Sequence, residues 1–368
     1  MGSQEEFKEF FDFLKETNQK VSQYFENHSA LSKFQPDEIK RAVLSYLQKP
    51  AKRLRPAVLL MSCGVVNGDL EKALPAAVSV ELFHTWTLVH DDLIDQDPLR
   101  RGGPSVHKDI EDWAQKNLGF SSSISAKYGA DISILGGDLQ HGWSIQILVE
   151  TARMNQIDPQ VVLTLVEELD LNVLAHLIEG QALDVQFSHR NLESLFQLQE
   201  EDILRMLWLK TGALYEYCGR AGAMIGKNTC DYDDPQVQSL ATFTSKCGIA
   251  FQLQDDLLGI LGDEKKLGKQ VGSDIREGKK TLIVFKALQN ADSQEREKLL
   301  EILGNPNAKT NQVQEAVHLL ENLGGIDYTR KLANQYIQDA LGALEQLPAG
   351  RYRDLLKCWA DFMISRNL

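Results

Sequence analysis

Val78-Ser79-Val80-Glu81-Leu82-Phe83-His84-Thr85-Trp86-Thr87-Leu88-Val89-His90-Asp91-Asp92-Leu93-Ile94-Asp95 decides how this chain is read. Val78, Val80, Leu82, Phe83, Leu88 and Val89 make a helix that is apolar nearly all round, so it is buried. It ends in three aspartates. A helix turns every 3.6 residues, so Asp91 and Asp95 project from one face, a turn apart. Aspartates are usually found on solvated helix faces, but a buried helix makes that costly, and metal ions or cationic partners are the usual remedy. A second apolar stretch ends the same way, in Phe251-Gln252-Leu253-Gln254-Asp255-Asp256-Leu257-Leu258-Gly259. Two such faces pointing at each other make a cage of carboxylate oxygens. Hard divalent cations want that cage, and magnesium is typically held by a few carboxylates plus substrate phosphates. The pattern points to a magnesium-dependent enzyme acting on a diphosphate.

Working outward, helical periodicity dominates and alternating strand patterns are scarce. The spacing predicts an amphipathic helix over 5–27 and a second from Pro36 to near Gln48. A third follows Pro56 and reaches the Asn67-Gly68 turn, and 71–95 is the long buried helix. The Ser/Gly-rich stretch 117–128 reads as a loop. Long helices are expected over about 130–154, 159–187 and 199–225, with Asp158-Pro159 as a start signal. Residues 235–261 carry the second aspartate motif. Gly262 to Lys280 reads as a Gly- and charge-rich loop that closes as a lid, and three or more shorter helices finish the chain. No linker or fixed-period repeat divides the 368 residues. The expected architecture is all-α: one large helical bundle over 1–368, with a central cavity between the two aspartate-bearing helices.

Composition narrows the class. A net charge of −13 argues against nucleic acid as a partner. It leaves anionic substrates open, because local basic clusters and metal ions invert the field near a site. Five cysteines without a CxxC pair read as free thiols in a reducing compartment. No apolar run reaches membrane-spanning length, no signal peptide opens the chain, and Glu6 stands where myristoylation prefers Ser or Thr. The expected location is cytoplasmic.

Basic residues complement the aspartates. Lys52, Arg53 and Arg55 cluster in Ala51-Lys52-Arg53-Leu54-Arg55-Pro56. Arg100-Arg101 follow the first motif, Lys210-Thr211 lie in a helical stretch, and Lys269, Lys279 and Lys280 follow the second. Each cluster alone is ordinary surface charge. Together they supply the Arg forks and Lys point charges that phosphate recognition needs.

Five ordered motifs over roughly residues 40–285 then resemble the trans-isoprenyl diphosphate synthases, or polyprenyl synthetases. They are Lys52-Arg53-Leu54-Arg55-Pro56; Glu81-Leu82-Phe83-His84 leading to Asp91-Asp92-Leu93-Ile94-Asp95; Arg100-Arg101-Gly102; Gly180-Gln181-Ala182-Leu183-Asp184; and Phe251-Gln252-Leu253-Gln254-Asp255-Asp256 with Gly268-Lys269 and Gly272-Ser273-Asp274. The resemblance implies that Asp91 and Asp95 bind two magnesium ions and Asp255 a third, with manganese as the alternative metal. Asp92 and Asp256 are implied as supporting carboxylates. An allylic diphosphate (dimethylallyl, geranyl or farnesyl) would meet Arg100, Lys210, Thr211, Gln252, Lys269 and Lys279. Isopentenyl diphosphate would be held without metal by Lys52, Arg55, His84 and Arg101, and Gln181 and Asp184 would line the same cavity. A homodimer is implied as well.

These roles suit the chemistry. Ionising an allylic diphosphate builds negative charge on the leaving group, which metals and fixed cations stabilise. The allylic cation must be kept from water. The second substrate's alkene then attacks and a proton is lost. In the family the growing chain runs beside the first aspartate helix toward its N-terminus, so Trp86, Thr87 and Phe83 set product length. Thr85-Trp86-Thr87-Leu88-Val89-His90, with no extra residue inside the motif, resembles archaeal-type geranylgeranyl diphosphate synthases. A twenty-carbon product is expected, with farnesyl or longer-chain synthesis as the alternatives. Three departures stand out: Gly259 replaces the commoner third Asp, Pro50-Ala51 replace two glycines, and Asp112 to Lys127 runs long.

Other classes remain in view. Glu81-Leu82-Phe83-His84 and Glu315-Ala316-Val317-His318 both have the Glu-x-x-His spacing of di-iron carboxylate bundles. A terpene cyclase shares the metal logic with a single diphosphate. A non-catalytic helical partner subunit is the third alternative.

Overall fold

The computed structural model describes residues 7–155, 157–189, 198–261 and 273–365. Those residues are helical apart from one short hairpin, as the periodicity predicts. α1 (Lys8–Asn27) and α2 (Asp37–Leu44) lead to α3 (Leu54–Val65) and the 25-residue α4 (Leu70–Ile94). Asp69 caps α4, its carboxylate accepting from the Glu71 N–H at 3.0 Å. β1 (Leu99–Arg100) and β2 (Gly103–Pro104) form an antiparallel hairpin directly after the first aspartates. α5 (Val106–Leu118) and the 34-residue α6 (Ser122–Asn155) follow.

Most of the stretch 117–128, expected as a loop, is helix: α5 runs to Leu118 and α6 starts at Ser122. Its small residues serve packing. A Cβ on Gly129 would collide with the His107 carbonyl, and Ser125 is fully buried, so α5 and α6 lie close together. α2 also stops earlier than expected, at Leu44.

α7 (Pro159–Glu167) opens on Asp158, whose side chain caps the Gln160 N–H at 2.9 Å, as the start signal predicts. It passes through a π-helical turn, Glu168–Val173, into α8 (Leu174–His189). α9 (Glu200–Leu207) likewise passes through a π turn, Trp208–Gly212, into α10 (Ala213–Lys227). α11 (Pro235–Leu261) carries the second aspartate motif. α12 (Ser273–Glu277), α13 (Leu282–Asn290), α14 (Ser293–Ile302), α15 (Thr310–Asn322), α16 (Gly325–Leu344) and α17 (Arg351–Ser365) complete the described chain.

α4 is buried between α3 and α6, which is why its sequence is apolar on all sides. α10 is clasped between α3 and α11, and α11 packs on α16. The fully buried Leu59, Met61, Phe83, Tyr217 and Phe243 belong to one core that joins these helices. That core holds α4, α10 and α11 side by side and so fixes where the aspartates emerge. Among the described residues, no helix is long and apolar enough to cross a membrane.

Candidate active site

The two aspartate motifs are tied together by the π turn before α10. Lys210 Nζ lies 3.4 Å from Asp91 Oδ1 and 2.5 Å from Asp184 Oδ2. Its neighbour Thr211 donates to Gln252 Oε1 at 3.0 Å, and Gln252 Nε2 in turn reaches Asp256 Oδ1 at 3.4 Å. Adjacent residues thus touch the first motif and the second. A π turn changes side-chain phasing within a helix, and such turns are common at functional sites. The close approach depends on Gly180 of α8: a Cβ there would lie 2.7 Å from the Lys210 amide nitrogen. Gly180 lets α8 lie against the turn, and Asp184, one turn on, reaches Lys210.

Asp91 and Asp92 are neighbours with different surroundings. Asp92 is fully buried. It accepts from the Tyr46 hydroxyl and from Arg100 Nε, the latter at 2.7 Å, and Arg100 Nη2 pairs with the same carboxylate. The Val106 N–H donates to that Tyr46 hydroxyl at 3.1 Å, so the start of α5 is tied in too. Asp92 therefore fixes the hairpin cation against the helix. Asp91 keeps looser partners: Arg100 Nη2 at 3.7 Å and Lys210 at 3.4 Å. Its Oδ1 is buried without a hydrogen bond. Asp95 ends α4; lost hydration on its protein side, and then Asp91, push its carboxyl up to about 6. This end of α4 carries more negative charge than it compensates.

The second motif is similar. Asp256 is buried, and burial pushes its carboxyl up to about 6 even though Lys279 lies 3.3 Å away. Asp256, then Asp274 and Asp184, raise the Lys279 ammonium pKa against the effect of burial. Asp255 is half-buried. Position 259, where the resemblance leads one to expect a third aspartate, lies against another carboxylate: a Cβ on Gly259 would meet the Asp274 side chain. Asp274 thus stands beside the vacated position and lies 3.7 Å from Lys279. Gln181 Nε2 is buried without a hydrogen-bond partner. Of the loop expected over Gly262 to Lys280, residues 262–272, with Lys269, lie outside the described residues, and Ser273–Glu277 is a short helix rather than loop.

A cationic cluster forms the other part. Arg55 Nη1 lies 3.1 Å from His84 Nε2. Burial, and then Arg55, push the His84 imidazole well below its ordinary range, so it is neutral and accepts from Arg55. Arg101 donates to the Tyr46 carbonyl at 3.0 Å and lies 3.5 Å from Glu81, which Arg53 approaches to 3.7 Å. Lys52 is exposed, its Nζ 5.0 Å from the Phe362 ring centre. Phe83 is fully buried and Trp86 half-buried, with ring centres 5.1 Å apart. His141 of α6 completes that group, 5.1 Å from Trp86 and 5.5 Å from Phe83. Thr87 donates to the His84 carbonyl at 2.7 Å.

Tyr46 and His141 escape sequence reading, since nothing in their local pattern signals a partner on another helix. The two Glu-x-x-His copies do not build one site. Glu81 is buried against arginines, while His318 is exposed and Glu315 pairs with Lys298.

Among the described residues, no three His, Cys, Asp or Glu side chains converge on one point. Asp91 Oδ1, which lacks a hydrogen bond, and the raised Asp95 carboxyl are groups that a divalent cation would satisfy.

The polyprenyl synthetase family model matches residues 36–320. A geranylgeranyl diphosphate synthase of Sulfolobus acidocaldarius is 36% identical over 323 residues, covering 86% of this chain and 87% of its own. A geranylfarnesyl diphosphate synthase of Aeropyrum pernix is 30% identical, covering 90% of this chain and 95% of its own. The crystal structure of geranylgeranyl pyrophosphate synthetase from Pyrococcus horikoshii is 33% identical and matches with a TM-score of 0.82, over 98% of this chain and 99% of that one. A family match over most of the sequence, on a fold that carries both aspartate motifs, means that the chain belongs to the polyprenyl synthetase family and is a prenyltransferase.

Proposed function

We propose that this chain condenses isopentenyl diphosphate with an allylic diphosphate to give a short-chain all-trans product, geranylgeranyl diphosphate. One observation carries the reading: two anion sites of different character lie side by side. Around Asp91, Asp95, Asp184, Asp255 and Asp256, carboxylates are interleaved with Lys210, Lys279 and Arg100. Around Arg55 and His84, cations outnumber carboxylates: Arg53 and Arg101 share the buried Glu81, and Arg55 meets the neutral His84. The first suits a metal-bridged allylic diphosphate, the second a diphosphate bound by protein alone, so two substrates are implied.

Asp91, Asp95 and Asp255 would hold the magnesium ions, three to a site, with manganese able to substitute. When bound, the ions neutralise charge on the departing diphosphate. Lys210, Lys279 and Arg100 add fixed positive charge where the leaving group forms. Thr211 and Gln252 orient that diphosphate from the second motif. Arg55, Arg101, His84 and Lys52 hold isopentenyl diphosphate so that its alkene faces the allylic carbon. The buried ring of Phe83 and the half-buried ring of Trp86, with Thr87 beside them, keep water from the cation and limit tail length. The residues act within a single domain, in a homodimer in the cytoplasm. The decisive experiment incubates the protein with magnesium, isopentenyl diphosphate and each of dimethylallyl, geranyl and farnesyl diphosphate, then weighs the product. A twenty-carbon diphosphate supports the reading. No consumption of isopentenyl diphosphate overturns it.

A further inference from the structure

The three arginines near α4 are not compensated alike. Arg53 and Arg101 both reach the buried Glu81, at 3.7 and 3.5 Å. Arg55 forms no ion pair among the described residues. Its Nη1 meets the neutral His84, and its Nε is buried without a hydrogen bond. A partly buried charge so placed is costly unless something else answers it. Glu81 attracts it from beyond ion-pair distance, and an aromatic face meets it directly: the Arg55 Cζ lies 4.5 Å from the ring centre of Tyr215.

Tyr215 sits at the start of α10, just past the π turn that carries Lys210 and Thr211. It is 1% exposed, and its ring is held from several sides. Trp359 of α17 packs at 5.3 Å and Phe251 of α11 at 6.3 Å. Gly248 of α11 leaves the ring its space, since a Cβ there would lie 3.1 Å from Tyr215 Cδ2. The ring cannot tilt without disturbing three helices. A guanidinium lying over it rests on a rigid support, and its N–H groups are left to donate.

We propose that Tyr215 is a positioning residue for isopentenyl diphosphate. Its ring offsets the charge of Arg55 in the free enzyme and presents the guanidinium edge to the incoming diphosphate. The proposal rests on the reading of Arg55 and His84 as part of that substrate's cradle. Stacking of a desolvated guanidinium on an aromatic ring favours one bound geometry, which lowers the ordering cost of binding.

The test is steady-state kinetics with both substrates varied. Tyr215→Leu keeps an apolar side chain and removes the π face. It is expected to raise KM for isopentenyl diphosphate about threefold to thirtyfold, with kcat and the allylic KM within about twofold. Tyr215→Phe keeps the ring and is expected to restore the wild-type KM. Equal KM values for the Leu and Phe variants overturn the proposal. So does a parallel rise in both substrates' KM with a falling melting temperature. If Tyr215→Leu does not fold, a Tyr215→Phe series with increasing ring fluorination decides. Fluorine drains the π face at nearly constant shape, so KM for isopentenyl diphosphate should climb stepwise, and a flat series refutes the stacking. Arg55→Ala separates the two claims. If it leaves that KM unchanged, the cradle reading falls. If it raises KM while the Tyr215 series stays flat, only the role of Tyr215 falls.

Discussion

Trp86→Ala tests how this chain limits product length. Along α4, Trp86 lies five residues before Asp91 and Phe83 eight, which places them roughly 7.5 and 12 Å down the helix at 1.5 Å per residue. Trp86 is half-buried, and its ring meets Phe83 at 5.1 Å, His141 at 5.1 Å and His90 at 5.7 Å. Phe83 behind it is fully buried. Removing the indole frees about 4.5 Å of path before Phe83 becomes the next stop, room for about one more five-carbon unit. Fully burying and then deleting a Trp costs about 3–5 kcal/mol, so a half-buried one should cost about 2 kcal/mol. The variant should therefore fold, melt a few degrees lower, and make longer products. Phe83→Ala/Trp86→Ala should lengthen them again. Extracted products are weighed by mass spectrometry beside a melting curve for each variant. Leu82→Ala is the control: fully buried in a separate core cluster, it should lower the melting temperature without moving product length. A destabilised Trp86→Ala enzyme that makes only the wild-type product would refute the floor.

Three more outcomes are expected. Asp91→Ala should cut turnover at saturating magnesium at least a hundredfold while shifting the melting temperature of the metal-free protein only slightly, because its ion pairs with Lys210 and Arg100 are long and each cation keeps another aspartate; near wild-type turnover contradicts the metal assignment. Lys210→Ala should act mainly on the allylic substrate, and Arg55→Ala or His84→Ala mainly on isopentenyl diphosphate, each by about tenfold to a hundredfold in kcat/KM; equal effects on both substrates in all three variants count against separate sites. Asp256 titrates near 6 when folded against an ordinary 3.8, so the folded state binds that proton more tightly than the unfolded state, and acidification favours folding through this group. In the absence of metal, the stability of wild type relative to Asp256→Asn should rise by about 2 kcal/mol from pH 7.5 to pH 4.5. A difference that stays flat with pH, measured by denaturant unfolding, shows that Asp256 is not the strained carboxylate the burial implies.

Much of this was legible in the sequence because it rests on periodicity and end signals. The buried α4, the Asp158-Pro159 start and the span of α11 follow from apolar spacing and caps. Misreadings arose where one composition serves two purposes. Ser and Gly favour loops, but they also let two helices approach, and around Ser125 and Gly129 the second purpose prevails. Residues 208–212 read as plain helix, since a π turn costs one extra residue per turn and leaves no mark in hydrophobic spacing.

The same limit applies to the site. Asp91 and Asp92 are chemically identical in a sequence, yet a helix rotates about 100° per residue, and that one step decides their fates. Asp92 turns into the core and is consumed by Tyr46 and Arg100, while Asp91 keeps an oxygen without a hydrogen bond. Lys210 and Thr211 divide in the same way between two aspartate motifs more than a hundred residues apart in the chain. Tyr46, His141 and Tyr215 carry no local signal because their partners lie on other helices. The acidic motifs mark where charge must be neutralised. Which carboxylate is left for an ion is decided by the residues that pack against its neighbours, and those are set by the fold.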